Sequence, residues 1–88
     1  MCRSIKTLFN FDPPATDDEV YAASRQFVRK LSGFTKPSKE NEQAFDNAIE
    51  NIAAVARELL FSMATKAPTR NREIEAEKQR ARAAKRFA

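Results

Sequence analysis

The amino-acid sequence predicts an all-α fold: two long antiparallel helices, a weaker C-terminal helix, and an N-terminal arm packed on them. Three observations carry this expectation. Apolar residues recur at helical spacing between Ser38 and Lys66. The chain holds one glycine among 88 residues, too few for the turns of an all-β fold. Ala, Glu, Lys and Arg, all good helix formers, are abundant.

The stretch 38–66 organises the rest. Phe45, Ile49, Ile52, Ala56, Leu59 and Met63 follow one another in steps of four and three, a heptad-like row on one helix face. Ala48, Val55 and Leu60 widen the row. Glu42, Asp46, Asn47, Glu50, Asn51, Arg57 and Glu58 occupy the remaining positions, as on a solvated face. Neither Gly nor Pro interrupts between Pro37 and Pro68. The pattern predicts one helix of roughly 27 residues, about 40 Å long. A compact chain of this size has a radius of gyration of about 12 Å, so such a rod overhangs its own globule.

Residues 1–15 form the arm. Ile5, Leu8, Phe9 and Phe11 are apolar, but the run is too short to choose between strand and helix periods. Pro13 and Pro14 push the residues before them into extended geometry. A lone strand is expected to find no partner in this chain, so the arm is read as partly extended or a single helical turn, laid across the helices by its aromatics.

The first helix, 16–33, has both ends marked. Thr16-Asp17-Asp18-Glu19 reads as a capping box, with Thr16 at the N-cap and Glu19 at N3. The two aspartates suit the positive end of the helix dipole. Val20, Ala23, Ser24, Phe27, Val28 and Leu31 then share a face. Gly33 suits the left-handed position that ends a helix, with Phe34 placed to pack back on Val28. Pro37 disfavours helix at Lys36, and Ser38 can cap the long helix. This short connection implies that the two helices are antiparallel neighbours. The first, about 24 Å long, reaches along two-thirds of the second at most. Leu59, Leu60, Phe61 and Met63 therefore need cover from the arm, the C-terminal segment or a second chain.

Pro68 breaks the helix, and Thr69 or Asn71 can cap a third over 69–87. Its apolar face, Ile74, Ala81, Ala84 and Phe87, is narrow. Alanines bury little area, so this helix is the least stable element. Its charge is uneven. The net charge of +4 equals seven Lys/Arg minus three Glu, all from Pro68 onward, and the rest of the chain balances to zero.

Composition excludes much chemistry. The chain has no histidine and a single cysteine, Cys2. It cannot form an internal disulfide, assemble a zinc site, or build a Ser-His-Asp or Cys-His centre. No metal and no cofactor is predicted. No stretch reaches the roughly 20 apolar residues of a membrane span, and the start lacks a signal-like apolar region. These features predict a single-domain cytoplasmic protein.

Four residue sets carry candidate functions. Leu59, Leu60, Phe61 and Met63 are candidates for self-association as a homodimer. Lys78, Arg80, Arg82, Lys85 and Arg86 could contact nucleic-acid phosphates. Against that, Glu73, Glu75 and Glu77 near the helix start and bases near its end simply complement the dipole, and Glu77 with Arg80 makes an i,i+3 pair. Arg3, Lys6, Arg29, Lys30 and Lys36 could form an anion pocket if the arm folds back over helix one. Cys2, once Met1 is removed, would pair a thiol with a free α-amine beside Arg3 and could act as a nucleophile; a small half-buried thiol is the plainer reading. The carboxylates of the long helix look like surface.

Three runs carry a resemblance. Met1-Cys2-Arg3-Ser4-Ile5-Lys6-Thr7-Leu8, Phe9-Asn10-Phe11-Asp12-Pro13-Pro14-Ala15-Thr16 and Gln26-Phe27-Val28-Arg29-Lys30-Leu31-Ser32-Gly33-Phe34-Thr35-Lys36-Pro37 resemble a family of small bacterial proteins classed as a domain of unknown function. The resemblance extends along essentially the whole chain, through the Arg/Ala-rich tail. It implies a bacterial, stand-alone, single-domain protein and assigns no residue a role.

Overall fold

The computed structural model describes residues 5–87, with side chains described as far as Lys85. Three α-helices account for most of them: α1, Asp17–Ser32; α2, Glu42–Ser62; and α3, Arg72–Phe87. The fold is all-α, and α1 and α2 pack against each other.

The ends of α1 follow from local chemistry. The Thr16 side chain accepts from the Glu19 amide (3.2 Å), and Glu19 Oε1 accepts from the Thr16 amide (3.0 Å), closing the capping box. Gly33 takes φ 77° and donates its N–H to the Arg29 carbonyl at 2.9 Å, a conformation that a side chain would strain. Phe34 remains exposed.

The long helix is shorter than its apolar pattern suggests. A 3-10 turn, Lys39–Asn41, precedes α2. Ser38 does not cap α2; its carbonyl and hydroxyl accept from the backbone and side-chain amides of Asn41. At the other end α2 stops at Ser62, and Met63 is extended. Short polar side chains compete with the helix there. Ser62 Oγ donates to the Leu59 carbonyl, and Thr65 Oγ1 accepts from the Ala67 amide. Pro68 also biases the residue before it toward extended geometry. The released segment 63–70 turns back to meet the arm.

That meeting corrects a second expectation. The arm does find a backbone partner: Phe11 and Arg70 form one isolated parallel bridge. The Arg70 amide donates to the Asn10 carbonyl (2.7 Å), and the Asp12 amide donates to the Arg70 carbonyl (3.4 Å). Asn10 has φ 66°, in the left-handed region that Asn tolerates better than most residues. Its side-chain amide donates to the Pro68 carbonyl at 3.0 Å.

The helix pair is antiparallel. Asp17, at the start of α1, faces Arg57, late in α2, at 3.8 Å. Pro14, Ala15 and Val20 share a cavity with Leu60 and Phe61. The core between them is thin. Its buried apolar residues are Val20 and Val28 from α1 and Ile49 and Ala53 from α2. Ser24 is also buried, its hydroxyl satisfied by the Val20 carbonyl at 2.8 Å.

Both buried rows advance in steps of four: 20, 24, 28 and 49, 53. That ridge pattern is the one that favours crossings of about 50°. Leu31, placed by sequence on the core face of α1, is 70 % exposed and lies past Val28, the last buried residue of that helix. On α2 the heptad-like row does not stay buried either. An α-helix drifts about 20° per heptad from a strict seven-residue repeat. The core line therefore runs from Ile49 through Ala53, and Leu59 turns outward, while Met63 lies past the end of the helix. Replacing Ile49 with Ala should cost about 3 kcal/mol in urea unfolding, whereas Leu31→Ala should change stability by under about 0.5 kcal/mol.

Candidate functional site

The most elaborated region of the molecule is the junction of the arm, α1 and α3. Its centre is Arg72, the first residue of α3. Arg72 Nη1 donates to Glu19 Oε2 (2.7 Å), and Nη2 donates to Glu19 Oε1 (3.0 Å). This is a bidentate guanidinium–carboxylate pair, the strongest ion-pair geometry available to side chains. Nη2 also reaches the carbonyls of Pro13 (3.1 Å) and Pro14 (3.3 Å). The guanidinium lies 5.3 Å from the centroid of the Phe11 ring, within cation–π range.

Local structure aims Arg72 at its partners. Asn71 Oδ1 accepts from the amides of Glu73 (2.9 Å) and Ile74 (3.1 Å), so Asn71, rather than Thr69, caps α3. The Phe11–Arg70 bridge holds the preceding residues against the arm. On the other side, the capping box holds the Glu19 carboxylate in place. Hydrogen bonds from Arg72 first, then from the Thr16 backbone, lower the Glu19 pKa from 4.5 to about 2 against a small opposing effect of burial. The same pair raises the pKa of Arg72.

Two hollows flank this junction. The first, about 220 Å³, lies between the arm and the end of α2 and is lined mainly by Leu8, Phe9, Phe11, Val20, Leu60 and Phe61. The second, about 1000 Å³, is a cleft between the arm and α3. Lys6 and Arg70 line it together with Arg72, Arg80 and Arg82, and Glu19 and Glu75 are its carboxylates.

The candidate residues redistribute accordingly. Lys6, read as part of an anion pocket with Arg29, Lys30 and Lys36, instead shares the cleft with Arg80 and Arg82. The arm packs near the start of α1, whereas Arg29 lies twelve residues further on, about 18 Å along the axis. Lys30 and Lys36 lie beyond it. The proposed pocket over Arg29 and Lys30 therefore does not form among the described residues. Arg29 donates to Gln26 Oε1 at 3.4 Å, and its Nε is buried without a partner. The i,i+3 pair read at Glu77 and Arg80 forms instead between Glu75 and Lys78, at 3.6 Å. Lys85 is exposed on α3. Cys2, Arg3 and the side chain of Arg86 lie outside the described residues.

The apolar set also divides. Leu60 and Phe61 face the arm cavity, although Phe61 remains 71 % exposed. Leu59 is 55 % exposed and lies about 160° around the helix from Phe61. Its neighbours at helical spacing are Val55, 66 % exposed, and the half-buried Ile52 and Ala48. No helix among the described residues is long and apolar enough to cross a membrane.

The family described as Uncharacterized conserved protein (DUF2277) matches residues 1–78. This chain belongs to that family. The match includes the arm, the capping box, Glu19, Arg70 and Arg72, and ends within α3 at Lys78. The match does not reach Arg80–Arg86. No curated protein and no solved structure matches the chain.

The Glu19–Arg72 pair makes the docking of α3 dependent on acid. Above about pH 4.5 the carboxylate is charged in the folded and unfolded chain alike, and its contribution is complete. That contribution is lost as pH falls toward about 2, where the folded chain takes up the proton. The Arg70 amide resonance should shift across this window in the parent protein and not in Glu19→Gln.

Proposed function

We propose that this protein is a non-enzymatic helical module of the bacterial cytoplasm that self-associates as a homodimer through α2. The surface area supports this reading. The chain exposes 7235 Å², whereas a compact monomer of 10.0 kDa exposes about 5,200 Å². The excess, about 2,000 Å², is comparable with what each subunit buries in an obligate dimer. Part of it lines the cleft beside α3, and part is apolar surface on α1 and α2. The radius of gyration, 15.3 Å, and the 18 Å thin dimension fit a flat molecule with too little core of its own.

Ala48, Ile52, Val55 and Leu59 follow one another in steps of four, three and four along one side of α2. Such a row suits a two-fold interface in which the same patch serves both copies. Of the four residues selected from sequence, Leu59 belongs to this row, Leu60 and Phe61 to the arm cavity. Met63, 40 % exposed at the extended end of α2, lies at the margin.

Sedimentation equilibrium should give a dimer at tens of micromolar, and a monomer there would overturn the proposal. Leu59→Glu should weaken association by about a thousandfold, because the charge enters a two-fold interface twice.

A further inference from the structure

We propose that the cleft between the N-terminal arm and α3 binds single-stranded nucleic acid, its phosphates held by Lys6, Arg70, Arg80 and Arg82. The electrostatics are one-sided. Of the charges lining the cleft, Arg72 and Glu19 neutralise each other, and Glu75 pairs with Lys78. Among the described residues no carboxylate pairs with Lys6, Arg70, Arg80 or Arg82. Clustered positive charge in a groove with low-dielectric walls concentrates polyanions.

The geometry selects among anions. Arg80 and Arg82 lie about 12 and 15 Å along the α3 axis from Arg72, with Arg70 just before the helix start. One phosphate cannot engage both ends, so the ligand carries several negative groups along its length. Three of the four cations are arginines, whose planar fork matches phosphate oxygens better than a lysine point charge does. The two walls also differ. The α3 side presents cations above the small side chains of Ala76 and Ala83, and the arm presents Ile5, Leu8 and Phe11. A single strand has the same two sides, a phosphate chain and a row of flat apolar bases. A duplex turns its bases inward and leaves the arm wall without a partner, and a purely acidic chain such as oligoglutamate has no flat apolar group to place against it.

Fluorescence anisotropy with the full chain and a labelled oligothymidine of about 12 nucleotides tests this. Binding should weaken with salt at a log–log slope of about −2.8, for four phosphate contacts. Arg80→Gln with Arg82→Gln, which keeps good helix formers in α3, should bring the slope to about −1.4 and weaken binding at low salt. Lys30→Gln with Lys36→Gln, at the far end of α1, should leave both unchanged. No binding at low ionic strength, a slope near zero, or equal affinity for a duplex or an oligoglutamate peptide of the same charge would overturn the proposal. The slope of the unmodified protein decides without depending on how the variants fold. Cleft binding does not require dimerisation, so sedimentation and anisotropy can fail separately.

Discussion

The arrangement of this protein depends on one guanidinium. Arg72 joins three segments that have little else to hold them together: the arm, through the carbonyls of Pro13 and Pro14 and the ring of Phe11; α1, through Glu19; and α3, which it begins. Among the described residues no other helix packs against α3. Its position follows from this side chain and from the two backbone hydrogen bonds that Arg70 exchanges with Asn10 and Asp12. Glu19 serves both sides of the junction. One carboxylate ends the backbone of α1 and receives the cation, so the charge that caps one helix also anchors another.

The thin core explains why polar contacts carry so much of the tertiary organisation. Among the described residues, four buried apolar residues from two helices make a small core. The small residues Ser24 and Ala53 occupy buried positions where larger ones would add area. Apolar side chains consequently remain outside, on α2 around Val55 and Leu59 and on α1 at Leu31. The molecule is flat, its apolar rows are partly uncovered, and positive charge is gathered in one cleft. The chain has no histidine and one cysteine, and the Glu19 carboxylate is committed to an ion pair.

Much of the candidate site was legible only in fragments. By sequence, Lys6 groups with the cations of α1, and Arg80 and Arg82 with the tail. The cleft takes one from the first set and two from the second, and adds Arg70 and Arg72, which no local pattern marks. Glu19 had a sufficient local explanation as the N3 residue of a capping box, so nothing in its surroundings signalled a second partner. Arg72 sits in a polar run after Pro68 where every residue type is ordinary. A pairing between residues 19 and 72 leaves no periodic trace, because it depends on where two helix ends arrive in space.

The sequence alone determined what depends on near neighbours. The all-α class, the capping box at Thr16 and the left-handed stop at Gly33 are decided within a few residues by backbone sterics and short hydrogen bonds. The tertiary structure decided the rest. A small departure from the heptad period chose Ala53 over Leu59 for the core. Competition from short polar side chains and from pairing with the arm ended α2 at Ser62. The return of that segment to the arm delivered Arg72 to Glu19, and with it the cleft. Each of these outcomes turns on which distant groups come within bonding distance, a quantity that residue spacing along the chain does not contain.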